Sequence, residues 1–175
     1  MPDLLVVKPD VSEYAPYYGR YISLVPDGDI LDTLAAQSDA TLAELRRISD
    51  ADSLNRYAPG KWSVREVLGH VIDGERIFAY RTLCIARGDR TPLPGFEQDD
   101  YIAAAQFDSI PWALLVEEFA AVRHGNLMMF RGFAPEAWTR LGVVNGNALS
   151  ARAGAYVIAG HELHHMRVLR EKYSL

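Results

Sequence analysis

Four long stretches of the chain repeat apolar residues at the three- and four-residue spacing of a helix with one buried face. In the first, "DGDILDTLAAQSDATLAELRRISD", the apolar positions are Ile30, Leu31, Leu34, Leu42 and Leu45. The second, "SVREVLGHVIDGERIFAYRTLCIARG", opens on Ser63 with Glu66 three residues later, the pattern of a capping box. Val67, His70, Val71, Gly74, Ile77 and Phe78 form its buried stripe, and Gly88 after Arg87 supplies a stop. The third, "IPWALLVEEFAAVRHGNLMMFRGF", is expected to be capped by Ser109. The last, "LSARAGAYVIAGHELHHMRVLREKY", has Ser150 near its start as a cap.

The segments between these helices set the topology. "SLNRYAPGKW" reads as a loop and "APEAWTRLGVVNGNA" as a short link. Residues 1–28, rich in Pro, Gly and Tyr, read as an irregular arm that packs on the body through its tyrosines. Short links join antiparallel neighbours in a bundle. The stretch from about Asp89 to Ser109 is long for a plain connection, with a turn of helix expected near Tyr101 to Ala105. It can run the length of the bundle and leave the second and third long helices parallel. A long excursion that returns to the same end would leave the same pattern. The expectation is an all-α four-helix bundle over residues 29–175, up-down-down-up, with the arm in front of it.

Composition narrows the class. A chain of 175 residues suits one domain with one sizeable core. Its net charge of −5 gives no broad basic surface, so no nucleic-acid partner is expected. The one cysteine, Cys84, excludes an intrachain disulfide and fits a reducing compartment. No stretch has the length of a membrane span, and "MPDLLVVKPD" lacks the basic start and apolar length of a signal peptide. A cytoplasmic protein without a membrane partner is the expectation.

Candidate chemistry lies in the five histidines, His70, His124, His161, His164 and His165. Turning by about 100° per residue places His161 and His165 near the middle of the last helix's apolar side, one turn apart. His70 lies in the centre of the second helix's stripe. A lone inward histidine is more often a core residue with a hydrogen-bonding partner. An inward i, i+4 pair needs partners in a place with few. A third inward histidine on a facing helix points to a divalent transition metal held in the bundle interior. His124 falls on a wet face and His164 on the flank, where it lines the pocket rim or supports the site. Asn126 lies on the apolar side of the third helix, as a pocket-lining residue or one bonded to neighbouring backbone. Arg81 continues the His70 stripe and reads as an arginine paired for structural reasons. Asp73 and Glu66 flank His70 and read first as solvated charges, with Asp73 kept as a weak catalytic candidate. Cys84 reads as a core filler. Leu163 and Tyr156, on the otherwise polar side of the last helix, mark a dimer contact or cover for the arm.

"HELHH" contains H-E-x-x-H, the zinc-protease motif, with His161 and His165 as ligands and Glu162 as base. Among the ten residues after His165 the one side-chain carboxylate is Glu171, about 120° away around the helix. The third ligand must therefore come from upstream, where His70 is the candidate. Glu162 lies on the edge of the metal-facing side and stays a weak catalytic candidate.

"PGKWSVREVLGHVIDGERIFAYR" followed by "GHELHHMRVLREKY" resembles the DinB-like superfamily, from about Tyr14 to the last residues. The resemblance implies an up-down-down-up four-helix bundle whose three histidines, matching His70, His161 and His165, bind zinc or nickel. It implies a homodimer for many members. For activity it implies transfer of a low-molecular-weight thiol, such as bacillithiol, to an electrophilic small molecule, as in some relatives, or mycothiol-dependent isomerisation, as in others. The alternatives are a metal-dependent hydrolase that uses bound water and a non-enzymatic metal-binding stress module.

Overall fold

The computed structural model describes residues 5–173. A helical turn, α1 (Gly19–Ile22), precedes α2 (Ile30–Leu45), α3 (Val64–Ala86), α4 (Gln98–Ala105), α5 (Trp112–Arg131) and α6 (Ala151–Tyr173). A hairpin of β1 (Leu141–Val144) and β2 (Asn147–Ser150) stands before α6.

Local chemistry sets most boundaries. Asp29 caps α2 by accepting from the amides of Leu31 and Asp32. Ser63 and Glu66 close the reciprocal capping box of α3. That helix stops where Gly88 turns to φ +82°. The amides of Gly88 and Asp89 then bond the carbonyls of Ile85 and Cys84, at 2.9 and 3.0 Å, the Schellman pattern that only a residue at ease with positive φ closes without strain. Ser150 caps α6, its Oγ accepting from the Ala153 amide at 3.0 Å.

Two expectations are corrected. Ser109 does not cap α5. It ends a 3₁₀ turn (Phe107–Ser109), and its hydroxyl donates to the Gln106 carbonyl. The cap position is Pro111, which offers no side-chain acceptor; the Trp112 amide instead donates to the Asp50 carboxylate at 3.0 Å. The link before α6 is not plain either. Asn145 and Gly146 both adopt positive φ, 49° and 73°, and form the tight turn of a hairpin in which Val144 pairs with Asn147.

Packing fixes the helix directions. Val64, Val67, Leu68 and Val71 share a core with Trp112, Leu115, Val116 and Phe119. Phe78 and Ile85 share the other with Leu127 and Phe130. Thus α3 and α5 run parallel. Ile30 and Leu34 belong with the first half of α6 and Leu45 with Met166 and Leu169, so α2 and α6 are parallel too. The order is up-down-down-up. The crossover that this demands carries α4 and is tied to the hairpin where the Leu93 amide bonds Val143 O and the Asn145 amide bonds Leu93 O, both at 2.9 Å.

The arm docks on α6. The Tyr21 carbonyl oxygen lies 2.1 Å from where a Cβ on Gly160 would stand, so only glycine permits this approach. Tyr156, on the expected polar side, is fully buried beneath the arm, with its hydroxyl donating to the Gly28 carbonyl at 3.1 Å. Arg152 is likewise engaged by the arm, through Glu13. Among the described residues no helix is long and apolar enough to cross a membrane.

Candidate metal centre

Antiparallel packing of α3 on α6 brings His70, His161 and His165 together, with ligand atoms all within 4.8 Å of one another. The Nε2 of His161 lies 2.9 Å from that of His70 and 3.1 Å from that of His165. Gly74, one turn after His70, makes room: a Cβ there would stand 3.0 Å from His161 Cε1. Trp62 leans on the His70 ring at 5.0 Å between centroids, and Tyr21 meets His161 edge-on at 5.3 Å.

The donor set fits a metal for a chemical reason. Nε2 of a neutral imidazole carries either one proton or one lone pair. His161 can therefore satisfy only one of the two Nε2 atoms that approach it. A cation at the common point satisfies all three. Metal–nitrogen bonds of about 2.0–2.1 Å at a tetrahedral centre put ligand nitrogens about 3.3 Å apart, so the two contacts at His161 need only open slightly.

The rings are held neutral. Burial lowers the His70 pKa to about 4, against the charge of Asp99, which raises it. Burial also pushes His161 and His165 well below the usual value, helped by the neighbouring histidines and Arg20. Neutral imidazole is the form that binds metal. His164 is half-buried, edge-on to Tyr21 at 5.6 Å and His165 at 5.0 Å. It lies outside the set of three.

A cavity of about 530 Å³ opens beside His70 and His161. Gly74, Phe78 and Arg81 of α3 form its floor, Tyr17, Tyr18 and Tyr21 of the arm one wall, and the crossover around Phe96 and Asp99 another. Asn145 and Asn147 reach in from the hairpin. The expected liners Asn126 and His164 are not among these residues. Asn126 donates instead to Glu75 at 3.2 Å. The sequence carried a signal for the missed asparagines, since Asn-Gly between apolar residues marks a hairpin turn.

Neither weak catalytic candidate faces the histidines. Glu162 is buried, and its oxygens are taken by the Thr41 hydroxyl at 2.6 Å and Arg123 Nη2 at 2.6 Å. Arg123 also grips Glu75 through two bonds of 2.8 Å. Burial works against its charge, yet the two carboxylates outweigh that and raise its pKa. Asp73 is half-buried with its pKa raised by burial against the opposing pull of Arg76, and it does not line the cavity. Glu66 serves the helix cap and Arg56. His124 is exposed, as its face implied. Arg81 is buried but bonds the Pro94 carbonyl, not a carboxylate.

The sequence profile of the DinB superfamily matches residues 33–169. A search among curated proteins finds no match. Among solved structures the fold is similar to that of YfiT from Bacillus subtilis, described as a probable metal-dependent hydrolase with an unusual four-helix bundle topology. The identity is 15%, the TM-score 0.67, and the match covers 93% of this chain and 91% of that one.

Two outcomes follow from this geometry. Glu162→Ala leaves Arg123 paired with Glu75 but takes the acceptor from a buried guanidinium N–H and from the Thr41 hydroxyl, and lowers the unfolding free energy in urea by about 1–3 kcal/mol; a carboxylate free in a cavity would cost far less. The second concerns pH. His70 titrates near 6.5 when unfolded and near 4 when folded. Below pH 6.5 the unfolded chain takes up protons that the metal-free native state refuses, so stability is full above this value and falls as pH drops towards 4. Urea midpoints in the presence of chelator measure the fall, and a His70→Gln variant shows a shallower one.

Proposed function

Because the chain belongs to the DinB superfamily, we propose that it is a metal-dependent enzyme that transfers a low-molecular-weight thiol to an electrophilic small molecule. His70, His161 and His165 are its metal ligands, for zinc or nickel. The observation that carries the reading is the convergence of three Nε2 atoms at one side of an aromatic-walled cavity. A divalent ion supplies Lewis acidity there, lowering the pKa of a ligated thiol or water.

The chain's own residues favour the thiol. A free thiol has a pKa of about 8.5 and ionises with modest help. Water needs far more, and proteases with this motif provide a glutamate base. Here that glutamate, Glu162, is spent on Arg123 and Thr41. The three histidines would hold that ion at the cavity's edge. The tyrosines of the arm and Phe78 line the space beside it.

Hydrolysis is the second reading, and one residue speaks for it. Asp99 lines the cavity, and its charge acts on His70, so it is the carboxylate placed to take a proton from an attacking water. The description of YfiT as a probable hydrolase points the same way.

Untagged protein is expected to carry about one divalent transition-metal ion per chain, as a three-histidine site would, with background content in His70→Ala and His161→Ala by elemental analysis. Equal content in wild type and variants would sink the metal site. Bacillithiol, mycothiol, glutathione and cysteine, each crossed with an aryl halide, an epoxide and an ester, then separate the readings. Thiol-dependent consumption of an electrophile is expected; ester cleavage without thiol, weakened in Asp99→Asn, would select hydrolysis.

A further inference from the structure

Among the described residues the fold buries three arginines, Arg65, Arg81 and Arg123, at 4, 3 and 1% exposure. Arg65 pairs with Asp50 and Arg123 with two glutamates. Arg81 has no such partner among the described residues. Its Nη2 donates to the Pro94 carbonyl at 2.6 Å, which spends one of five donors and neutralises no charge. The Tyr18 phenol lies beside it, and burial lowers the Arg81 pKa against the opposing pull of that phenol. The guanidinium lies over the rings of Phe78 and Phe96, at 5.0 and 5.6 Å from their centroids. An unpaired buried charge is costly, and sites built to bind an ion carry that cost before the ligand arrives.

The position of Arg81 says where such a ligand lies. His70, Gly74, Phe78 and Arg81 all line the cavity. Eleven residues turn a helix back to nearly the same face and advance it by about 16 Å. The cavity thus has imidazoles at one end of this stripe, a guanidinium at the other and aromatic rings between.

We propose that Arg81 binds a carboxylate of the substrate, fixing its far end while the reacting end lies at the histidines. A planar guanidinium matches a carboxylate through paired hydrogen bonds. Glu97 and Asp99 also line the cavity, both exposed. Their charges disfavour a dianion such as a phosphate monoester more than a single negative charge. Phe78, Phe96 and Tyr18 suit an apolar or aromatic body between the two ends. The orientation of the reacting end rests on the proposed metal function; the carboxylate site itself does not.

The test is calorimetric titration of chelator-treated protein with 3-phenylpropionate, its uncharged amide and phenyl phosphate. Wild type is expected to bind the acid at least about tenfold more tightly than the amide, the effect of one charge-assisted hydrogen bond, and more tightly than the phosphate. Arg81→Met is expected to erase the preference for acid over amide, and His161→Ala to keep it. Equal binding of acid and amide, binding of neither, preference for the phosphate, or a preference that survives Arg81→Met overturns the proposal. Should Arg81→Met fail to fold, Arg81→Lys, which keeps the charge without the fork, is expected to weaken the preference, and the wild-type comparison still decides. Absence of bound metal together with a retained acid preference overturns the metal reading and leaves the carboxylate site standing.

Discussion

The nitrogen His161 Nε2 is approached by two other ring nitrogens, at 2.9 and 3.1 Å, and a neutral imidazole can answer only one. This unmet demand sits in the seam between α3 and α6, and much of the surrounding structure keeps the seam in place. Gly74 gives the His161 ring its room on the α3 side. Gly160 lets the Tyr21 backbone lie directly on α6, which sets the Tyr21 ring against His161. Trp62, just before the α3 cap, leans on His70. Each of these contacts limits where an imidazole can swing, so the three rings stay aimed at one point.

The bundle and the irregular segments divide the work. Helices α3 and α6 supply the histidines on rigid backbone. The cavity walls come from the parts that are not helical bundle: the arm, the crossover and the hairpin. Their placement follows from topology. Parallel α3 and α5 force the chain to travel the length of the bundle between them, and the stretch that does so carries Phe96 and Asp99. Leu93 ties that stretch to β1, so crossover and hairpin form one wall. A substrate site made of such segments can vary in shape while the histidines stay fixed.

The helices and the inward phase of His70, His161 and His165 were legible in the sequence because both depend on local period and cap chemistry. Ser63, Gly88 and Ser150 end helices for reasons written within a few residues of each. What was not legible depends on distant partners. Ser109 looked like a cap, but the acceptor for α5 is Asp50, 62 residues from Trp112. Helix phase set Glu162 at the edge of the metal-facing side, yet could not supply Arg123, which takes it. It put Asn126 inward without revealing Glu75 as its partner. The position of Arg81 in the His70 stripe implies a paired arginine, and only the fold shows that its buried neighbours are rings and a carbonyl. The hairpin is a different case: Asn145-Gly146 carried the signal locally, and the short, weakly alternating strands around it hid the consequence.

Consecutive residues of α6 point about 100° apart, and His161 and Glu162 use that angle to serve two buried sites at once. His161 enters the α3 seam; Glu162 turns towards α2 and α5, where Thr41 and Arg123 hold it. A rotation of α6 that moved His161 off the common point would also pull the buried Glu162 carboxylate from Arg123 and Thr41. The ionic cluster therefore fixes the rotational phase of the histidine helix. Burial opposes protonation of the imidazoles, so a bound cation meets little competition from protons there. The glutamate that makes the motif resemble a protease serves the histidines from behind, by fixing the position of their helix.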